Sequence, residues 1–128
     1  MTAIDTFLHA VETGTGIPPV CYAEGATLDA TVPNWRFSAT GADEVVAVYD
    51  SWFRHPARFE ELDRRPTAGG EVVSYLLVWE EDGVPHAAHH CHVLSLAPDG
   101  TIAGDRVWCG GRWSAALLAE MAAAVPAG

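Results

Sequence analysis

The sequence predicts an α+β domain, with helices in the N-terminal half and a mostly antiparallel sheet in the C-terminal half. Two segments before residue 55 place apolar residues at helical spacing. After residue 57 the apolar residues alternate with polar ones, and Asp82-Gly83 and Asp99-Gly100 are hairpin signals. With 128 residues, the chain is expected to form one domain over residues 1–128.

Two amphipathic helices are predicted in the N-terminal half. The first runs from about Ala3 to Glu12, with Thr2 as its cap. Its apolar stripe comprises Ile4, Phe7, Leu8 and Val11. The second starts at Gly41 and reaches about Phe53, and acidic residues in its first turn suit the helix dipole. Its apolar stripe comprises Val45, Val48, Tyr49 and Trp52.

The other predicted elements are shorter or extended. They are a short helix over 18–23, strands over 26–32, 58–65, 71–81 and 101–109, a histidine-rich strand ending at Leu96, and a final helix capped by Ser114 and stopped by Pro126. Residues 33–37 are expected to be a loop or an extension of the first strand. Gly110-Gly111 is expected to end the last strand.

Composition and charge exclude some classes of partner. The formal charge is −10, with 7 basic and 17 acidic residues, which argues against nucleic acid and anionic membranes as partners. The sequence contains no signal-peptide pattern and no apolar run of the roughly 18 residues that a membrane span needs. The three cysteines, Cys21, Cys91 and Cys109, form no CxxC pair. A cytoplasmic location is therefore expected.

The histidine-rich strand is the best candidate for chemistry. Four of the six histidines lie between His86 and His92. Since side chains alternate along a strand, His90 and His92 share a face with Leu94 and are predicted to point inward. Imidazoles titrate near neutral pH, so this pair could transfer protons. Plain surface or core histidines are the alternative interpretation.

The same register predicts which neighbours would face the histidines. The preceding strand contributes Val73, Tyr75, Leu77 and Trp79, and the last strand contributes Asp105, Val107 and Cys109. An aspartate beside a histidine orients the ring and raises its basicity. Asp105 is the preferred partner and Asp29 the second, although the alternation around Asp29 points it outward. Tyr75 would donate a hydrogen bond, and simple core packing is the alternative for Tyr75 and Trp79.

Two other chemistries are open to residues of this kind. Two histidines and a carboxylate could resemble a metal site. Cys91 or Cys109 could act as a nucleophile if a partner favoured the thiolate. Cys109 shares the inward face, but an inert buried thiol is the simpler interpretation. No metal and no cofactor are predicted.

The order of elements resembles the nuclear transport factor 2-like superfamily, which includes SnoaL-like polyketide cyclases and ketosteroid isomerases. The resemblance is carried by residues 21–29, by residues 41–45 and by the two Asp-Gly hairpins around the histidine-rich strand. It implies a cone-shaped α+β barrel: a curved sheet wrapped by three helices of the N-terminal half and a C-terminal helix, with a cavity at the open end. The expected lining residues are Phe7, Leu28, Trp35, Trp52, Leu77, Trp79, Val107 and Cys109.

The resemblance also bears on activity. The isomerases of the superfamily use a tyrosine on the first helix, an aspartate base on the first strand and a protonated aspartate on the third long strand. The matching positions here are Phe7, Ala30 and His92, so isomerisation by that mechanism is not expected. Scytalone dehydratases are similar in combining histidines with an aspartate of the first strand, the part that Asp29 could play.

These features predict a small-molecule enzyme that uses His-centred acid–base chemistry. It would be a cofactor-free isomerase, cyclase, dehydratase or hydrolase acting on a largely apolar molecule. A non-catalytic binding protein or a dimeric accessory subunit is the alternative. Apolar side chains on the outer face of the sheet predict a homodimer. These are Leu76, Val78, Val93 and Trp108.

Overall fold

The structure of the protein is a computed structural model and describes residues 1–124. Its helices are α1 (Ala3–Thr13), α2 (Ala42–Trp52) and α3 (Ala115–Ala123), with a 3₁₀ turn over Pro19–Cys21. Its strands are β1 (Tyr22–Val32), β2 (Trp35–Thr40), β3 (Ala57–Thr67), β4 (Gly70–Glu81), β5 (Val84–Leu96) and β6 (Ile102–Trp113). The predicted stop at Pro126 lies outside the described residues.

The six strands form one curved, unclosed sheet in the order β2-β1-β6-β5-β4-β3. β1 and β6 run parallel, whereas the other four neighbouring pairs are antiparallel. Helices α1 and α2 cover the concave face and bury their apolar stripes against it. The α+β architecture predicted from the sequence is confirmed.

Helix α1 shows how local sequence sets the frame of the site. The Thr2 side chain accepts a hydrogen bond from the backbone N–H of Asp5, and the Asp5 side chain accepts one from the N–H of Thr2. The helix ends at Gly14, whose φ of 67° suits glycine. The inner side of α1 then packs Phe7 edge-on to the His92 ring, with 5.4 Å between the ring centres.

Residues 33–37 are not a loop. Pro33 and Asn34 form a tight turn, and Asn34 adopts a φ of 62°, which asparagine tolerates better than most residues. The chain then returns as β2, which pairs Trp35 with Val32. The prediction missed this strand although the sequence carried a signal, because Trp35, Phe37 and Ala39 alternate with polar residues over its six residues.

The last strand does not stop at Gly110-Gly111 as predicted. Cys109 pairs with His90 and Arg112 pairs with Ala88, so two glycines on β6 oppose the single residue His89 on β5. This is a β-bulge, and Gly111 has the positive φ, 102°, that such an irregularity often requires. The bulge shifts the alternation by one residue and turns Arg112 to the side of Ala88.

Helix α3 begins as predicted, with the Ser114 hydroxyl accepting from the N–H of Leu117. However, it buries none of its residues, and Leu117 and Met121 are 37% and 38% exposed. The helix packs against β5. Within residues 1–124, no helix combines the length and apolarity needed to cross a membrane.

Candidate active site

The site is built on a buried carboxylate, Asp105 of β6, which is 1% exposed. Its Oδ2 accepts hydrogen bonds from the hydroxyls of Tyr49, at 2.7 Å, and Tyr22, at 3.2 Å. Its Oδ1 lies 3.0 Å from Nδ1 of His92. Three partners thus compensate a carboxylate that burial would otherwise make costly.

Both predicted inward histidines lie inside the molecule. His90 and His92 are 3% and 0% exposed and lie on the same face of β5. The Tyr75 hydroxyl lies between them, 2.9 Å from Nε2 of His92 and 3.0 Å from Nδ1 of His90. The β4–β5 register sets this arrangement, because it pairs Tyr75 directly with His90.

The chain of contacts ends at a thiol. Nε2 of His90 lies 3.1 Å from Sγ of Cys109, its partner across the β5–β6 pair. The backbone N–H of Gly111, in the bulge, also donates to this sulfur at 3.3 Å. One continuous series of hydrogen bonds therefore runs from Asp105 through His92, Tyr75 and His90 to Cys109; we call it the relay.

The hydrogen-bonding capacities of the groups allow two directions for the relay, and a neutral His92 selects one of them. A carboxylate only accepts, so Nδ1 of a neutral His92 carries the hydrogen, and its Nε2 accepts from the Tyr75 hydroxyl. The Tyr75 oxygen then accepts from Nδ1–H of His90, and Nε2 of His90 accepts from the Cys109 thiol. Both imidazoles are neutral in this arrangement, and every donor points towards Asp105.

Burial affects the protonation of three groups in the relay. Burial, followed by the neighbouring His92 and His89, lowers the pKa of His90 to about 3, so His90 is neutral at pH 7. Burial, together with the charge of Asp105, raises the pKa of Tyr75 well above its usual value, which keeps the tyrosine a donor. Burial also raises the pKa of the Cys109 thiol, partly offset by the Gly111 N–H.

A pocket of about 260 Å³ opens beside His90 and Cys109. Its walls are mostly apolar and aromatic. They include Trp52, Phe53, Leu77, Trp79 and Ala88. The volume is slightly below the roughly 300–1,000 Å³ of drug-sized sites, so a small molecule fits it best. A larger groove of about 720 Å³ lies beside α3 but contains no residue of the relay.

A charged group stands at the mouth of this pocket. Arg112 lines the opening, lies over the Trp79 ring at 5.8 Å from its centre, and forms an ion pair with Glu81. Glu81 also accepts a hydrogen bond from Nε1 of Trp79 at 3.1 Å. The mouth therefore offers a held guanidinium to a polar end of a ligand.

Four of the predicted lining residues lie elsewhere. Phe7, Leu28 and Val107 are each 1% exposed and belong to the packed core, because α1 fills the interior around His92. Trp35 is 70% exposed on the outer strand β2. The other predicted lining residues, Trp52, Leu77, Trp79 and Cys109, do line the pocket.

The structure does not place Asp29 beside a histidine, in agreement with the alternation that points it outward. Asp29 faces outward and accepts hydrogen bonds from Nε and Nη2 of Arg36, at 2.9 and 2.6 Å. That pairing lowers the pKa of its carboxyl. His92 differs from expectation: it contacts Asp105 as predicted, but Tyr75 separates it from His90, and it does not line the pocket. It could therefore act on a ligand only through other groups.

Sequence reasoning missed Tyr22, Tyr49 and Arg112 as parts of the site. A signal for Tyr49 was available, because it belongs to the predicted buried stripe of α2. The hydroxyl of a buried tyrosine usually has a hydrogen-bond partner. The signal for Arg112 was the glycine pair inside a strand, which often marks a bulge. The position at which the resemblance implies a catalytic tyrosine is Phe7 in this chain. The buried hydroxyls that reach Asp105 come from Tyr22 and Tyr49 instead.

The metal alternative has no support among residues 1–124, where no three His, Cys, Asp or Glu side chains converge on a common point. The ring centres of His90 and His92 are 6.2 Å apart, with the Tyr75 hydroxyl hydrogen-bonded to both. The ring nitrogens are therefore occupied by partners within the protein.

Comparison of the sequence with family models and with curated proteins finds no match. Comparison of the structure with solved structures does find relatives in fold. An NTF2-like protein of unknown function from Cytophaga hutchinsonii is 15% identical, covers 84% of this chain and 86% of its own, and superposes with a TM-score of 0.56. A protein of unknown function with a cystatin-like fold from Xanthomonas campestris is 13% identical, with 87% and 92% covered and a TM-score of 0.64.

A third solved structure is that of SalBIII, an epoxide hydrolase/cyclase-like enzyme described for its role in pyran ring formation in the polyether salinomycin. It is 14% identical, with 88% of this chain and 92% of its own covered and a TM-score of 0.62. The protein therefore has the fold of the nuclear transport factor 2-like superfamily, as its motifs predicted. At such low sequence identity, the structural similarity establishes the fold but not the activity, which must be argued from the site itself.

Proposed function

We propose that the protein is an enzyme that transfers protons on a small, largely apolar molecule without a cofactor. The observation that carries this proposal is the relay, which connects the pocket to a buried carboxylate through two imidazoles and a tyrosine hydroxyl. The fold is compatible with it, because the similar structures include a cyclase-like enzyme. The apolar walls of the pocket favour an apolar substrate.

The relay solves an electrostatic problem at His90. Burial lowers the pKa of this imidazole to about 3, so it is a poor place to leave a positive charge. When Nε2 of His90 accepts a proton, Nδ1 can pass its own hydrogen to Tyr75, and Tyr75 can pass its hydrogen to Nε2 of His92. The positive charge then rests on His92, 3.0 Å from the carboxylate of Asp105.

The reverse movement returns a proton to the ligand. If it returns to a different atom, the result is isomerisation or cyclisation, and if it assists a leaving oxygen, the result is dehydration. Positioned acid–base groups typically contribute about 10²–10⁴-fold to such rates. Because the Cys109 thiol donates to the same nitrogen, a ligand reaches Nε2 of His90 only when this S–H rotates away.

The test uses 2-tetralone, a small aromatic ketone with acidic α-hydrogens, and follows their exchange with D₂O by NMR. Tyr75→Phe keeps the ring but interrupts the relay, so we expect it to slow protein-catalysed exchange by about 100-fold or more. Tyr22→Phe is the matched control, because it removes a buried hydroxyl from Asp105 outside the relay, and we expect a change within about threefold. Equal rates for the two variants would contradict the proposed path.

A non-catalytic binding protein is the second candidate, favoured by one observation: His90 is only 3% exposed and therefore offers little surface to a ligand. In that case 2-tetralone would quench the fluorescence of Trp52 and Trp79 on binding, while its α-hydrogens would exchange no faster than in buffer.

A further inference from the structure

The relay ends at a group that proton transfer on its own does not need. Sγ of Cys109 lines the pocket, lies 3.1 Å from Nε2 of His90, and accepts the N–H of Gly111 at 3.3 Å. A nucleophile within hydrogen-bonding distance of a base, whose ring is in turn held by a third group, is the arrangement of covalent catalysis.

The other two cysteines provide a contrast within the same chain. Cys21 is 1% exposed in the core. Cys91 lies on the outer side of β5, since it alternates with His90 and His92. Neither lines this pocket. Cys109 is therefore the cysteine that combines a basic partner with access to a ligand.

We propose that Cys109 is a catalytic nucleophile that adds reversibly to the β-carbon of small α,β-unsaturated carbonyl compounds, with His90 accepting its proton. This inference rests on the proposed function, because both use Nε2 of His90. A thiolate is a polarisable nucleophile, and a conjugated carbon is the kind of electrophile that suits it. Such substrates are flat, and the pocket presents the rings of Trp52, Phe53 and Trp79 for stacking.

The step balances without an oxidant or a further reactant. The S–H proton moves to Nε2 of His90 as the sulfur–carbon bond forms. The electron pair of the carbon–carbon double bond moves towards the carbonyl oxygen and gives an enolate. The proton then returns from His90 to the α-carbon. Reversal breaks the sulfur–carbon bond, and rotation in the adduct before reversal would interconvert cis and trans isomers.

The relay also explains how a buried thiol could react. Burial raises the pKa of Cys109, so the isolated thiol would be sluggish. Passing the proton onward to His92 places the positive charge beside Asp105, while the Gly111 N–H stabilises the developing thiolate. The reactivity of Cys109 should therefore depend on His90, and this dependence distinguishes a nucleophile with a base from an accessible thiol.

The test uses benzylideneacetone, a small unsaturated aryl ketone, with its saturated analogue benzylacetone as control. Incubation at pH 7 followed by mass spectrometry of the intact chain and its peptides should show one adduct, at Cys109, with benzylideneacetone only. His90→Gln should slow this labelling about tenfold or more, whereas Cys91→Ser should leave it unchanged. Cys21 should stay unlabelled in each variant, and its labelling would reveal unfolding.

Two results would overturn this inference: labelling of Cys109 no faster than that of Cys91, or equal labelling with and without His90. The variant Cys109→Ser distinguishes the covalent step from the proposed proton transfer, because serine can still donate to His90 but forms no stable adduct. If the α-hydrogens of 2-tetralone exchange but no benzylideneacetone adduct forms, the covalent step at Cys109 is contradicted and the proposed proton transfer is not. If an adduct forms but the α-hydrogens of 2-tetralone do not exchange, the proposed proton transfer is contradicted and the covalent step is not.

Discussion

At the scale of single residues, His90 shows how surroundings set the state of a side chain. Its ring packs edge-on or tilted against those of Trp52, Phe53 and Tyr75, with ring centres 5.3–5.6 Å away. These neighbours exclude water, and desolvation is the first cause of its low pKa. The same imidazole on the exposed face of β5 would titrate near neutral pH. Position on the strand therefore decides which histidine can belong to the relay.

This low pKa makes a prediction about stability. The pKa of His90 falls from 6.5 to about 3 on folding, so the unfolded chain binds the proton more readily between these values. The contribution of neutral His90 to the free energy of unfolding is therefore fully present above pH 6.5 and declines as the pH drops towards 3. Replacing His90 with Gln should reduce the loss of unfolding free energy between pH 7 and pH 5 by about 2 kcal/mol.

Chemical denaturation at the two pH values measures this difference. The matched control is His89→Gln, one residue away on the exposed face of β5, which should keep the pH dependence of the original protein. The same decline in the His90 and His89 variants would show that other groups cause the acid sensitivity.

Strand parity alone brought His90, His92, Tyr75 and Asp105 together from the sequence. Each lies on a regular part of its strand, where alternation is reliable. Tyr22 and Tyr49 could not be predicted as partners of Asp105, since they lie 83 and 56 residues away from it in the chain. Their contacts depend on how α2 and the start of β1 pack against the sheet, which no local pattern encodes.

At the scale of elements, the bulge in β6 connects backbone geometry to the site. It supplies the Gly111 N–H that reaches Cys109, and it turns Arg112 towards the pocket mouth. In a regular strand that starts from Cys109, the next residue on this face would be Gly111, and Arg112 would face outward. Bulges are common beside active sites for this reason.

The conformation of Gly111 can be tested by substitution. Its φ is 102°, and an added Cβ would lie 3.1 Å from Cγ of Pro33. Gly111→Ala should therefore lower the free energy of unfolding by about 1–3 kcal/mol, as measured by denaturation. Gly25→Ala is the control, because its φ is ordinary and no atom lies within 4 Å of its added Cβ. An equally large decrease in the free energy of unfolding for Gly25→Ala would contradict the conclusion that the bulge requires glycine at position 111.

Helices α1 and α2 followed from apolar periodicity, and the five long strands followed from alternation and turn signals. One strand and one strand end escaped prediction. β2 alternates between apolar and polar residues, but it is only six residues long and directly follows the turn residues Pro33 and Asn34. The end of β6 was misjudged because Gly110-Gly111 looks like a strand terminator, and only pairing with β5 shows that the chain continues.

At the scale of the whole molecule, the outer face of the sheet carries apolar side chains that are partly open to solvent. Val93 and Trp108 are 39% and 41% exposed there, and Leu76 and Val78 are half-buried. Large exposed apolar side chains on one face often mark contact with another protein. The homodimer predicted from the sequence stays a prediction.

We expect the protein to form a homodimer and Trp108→Glu to dissociate it, because a charge at a buried interface is costly. Analytical ultracentrifugation across a concentration series measures the mass of each form. Trp35→Glu is the control: it introduces the same charge at a more exposed tryptophan, on β2, and should leave the dimer intact. A monomeric original protein at all concentrations would contradict the expectation.

Within residues 1–124, every buried side-chain nitrogen and oxygen has a hydrogen-bond partner. A relay whose polar groups already have partners within the protein needs no ordered water to complete it. Apart from rotation of the Cys109 S–H, its geometry should therefore be the same in the empty and in the occupied pocket. A ligand then meets a preorganised set of groups, and little of its binding free energy is spent on rearranging them.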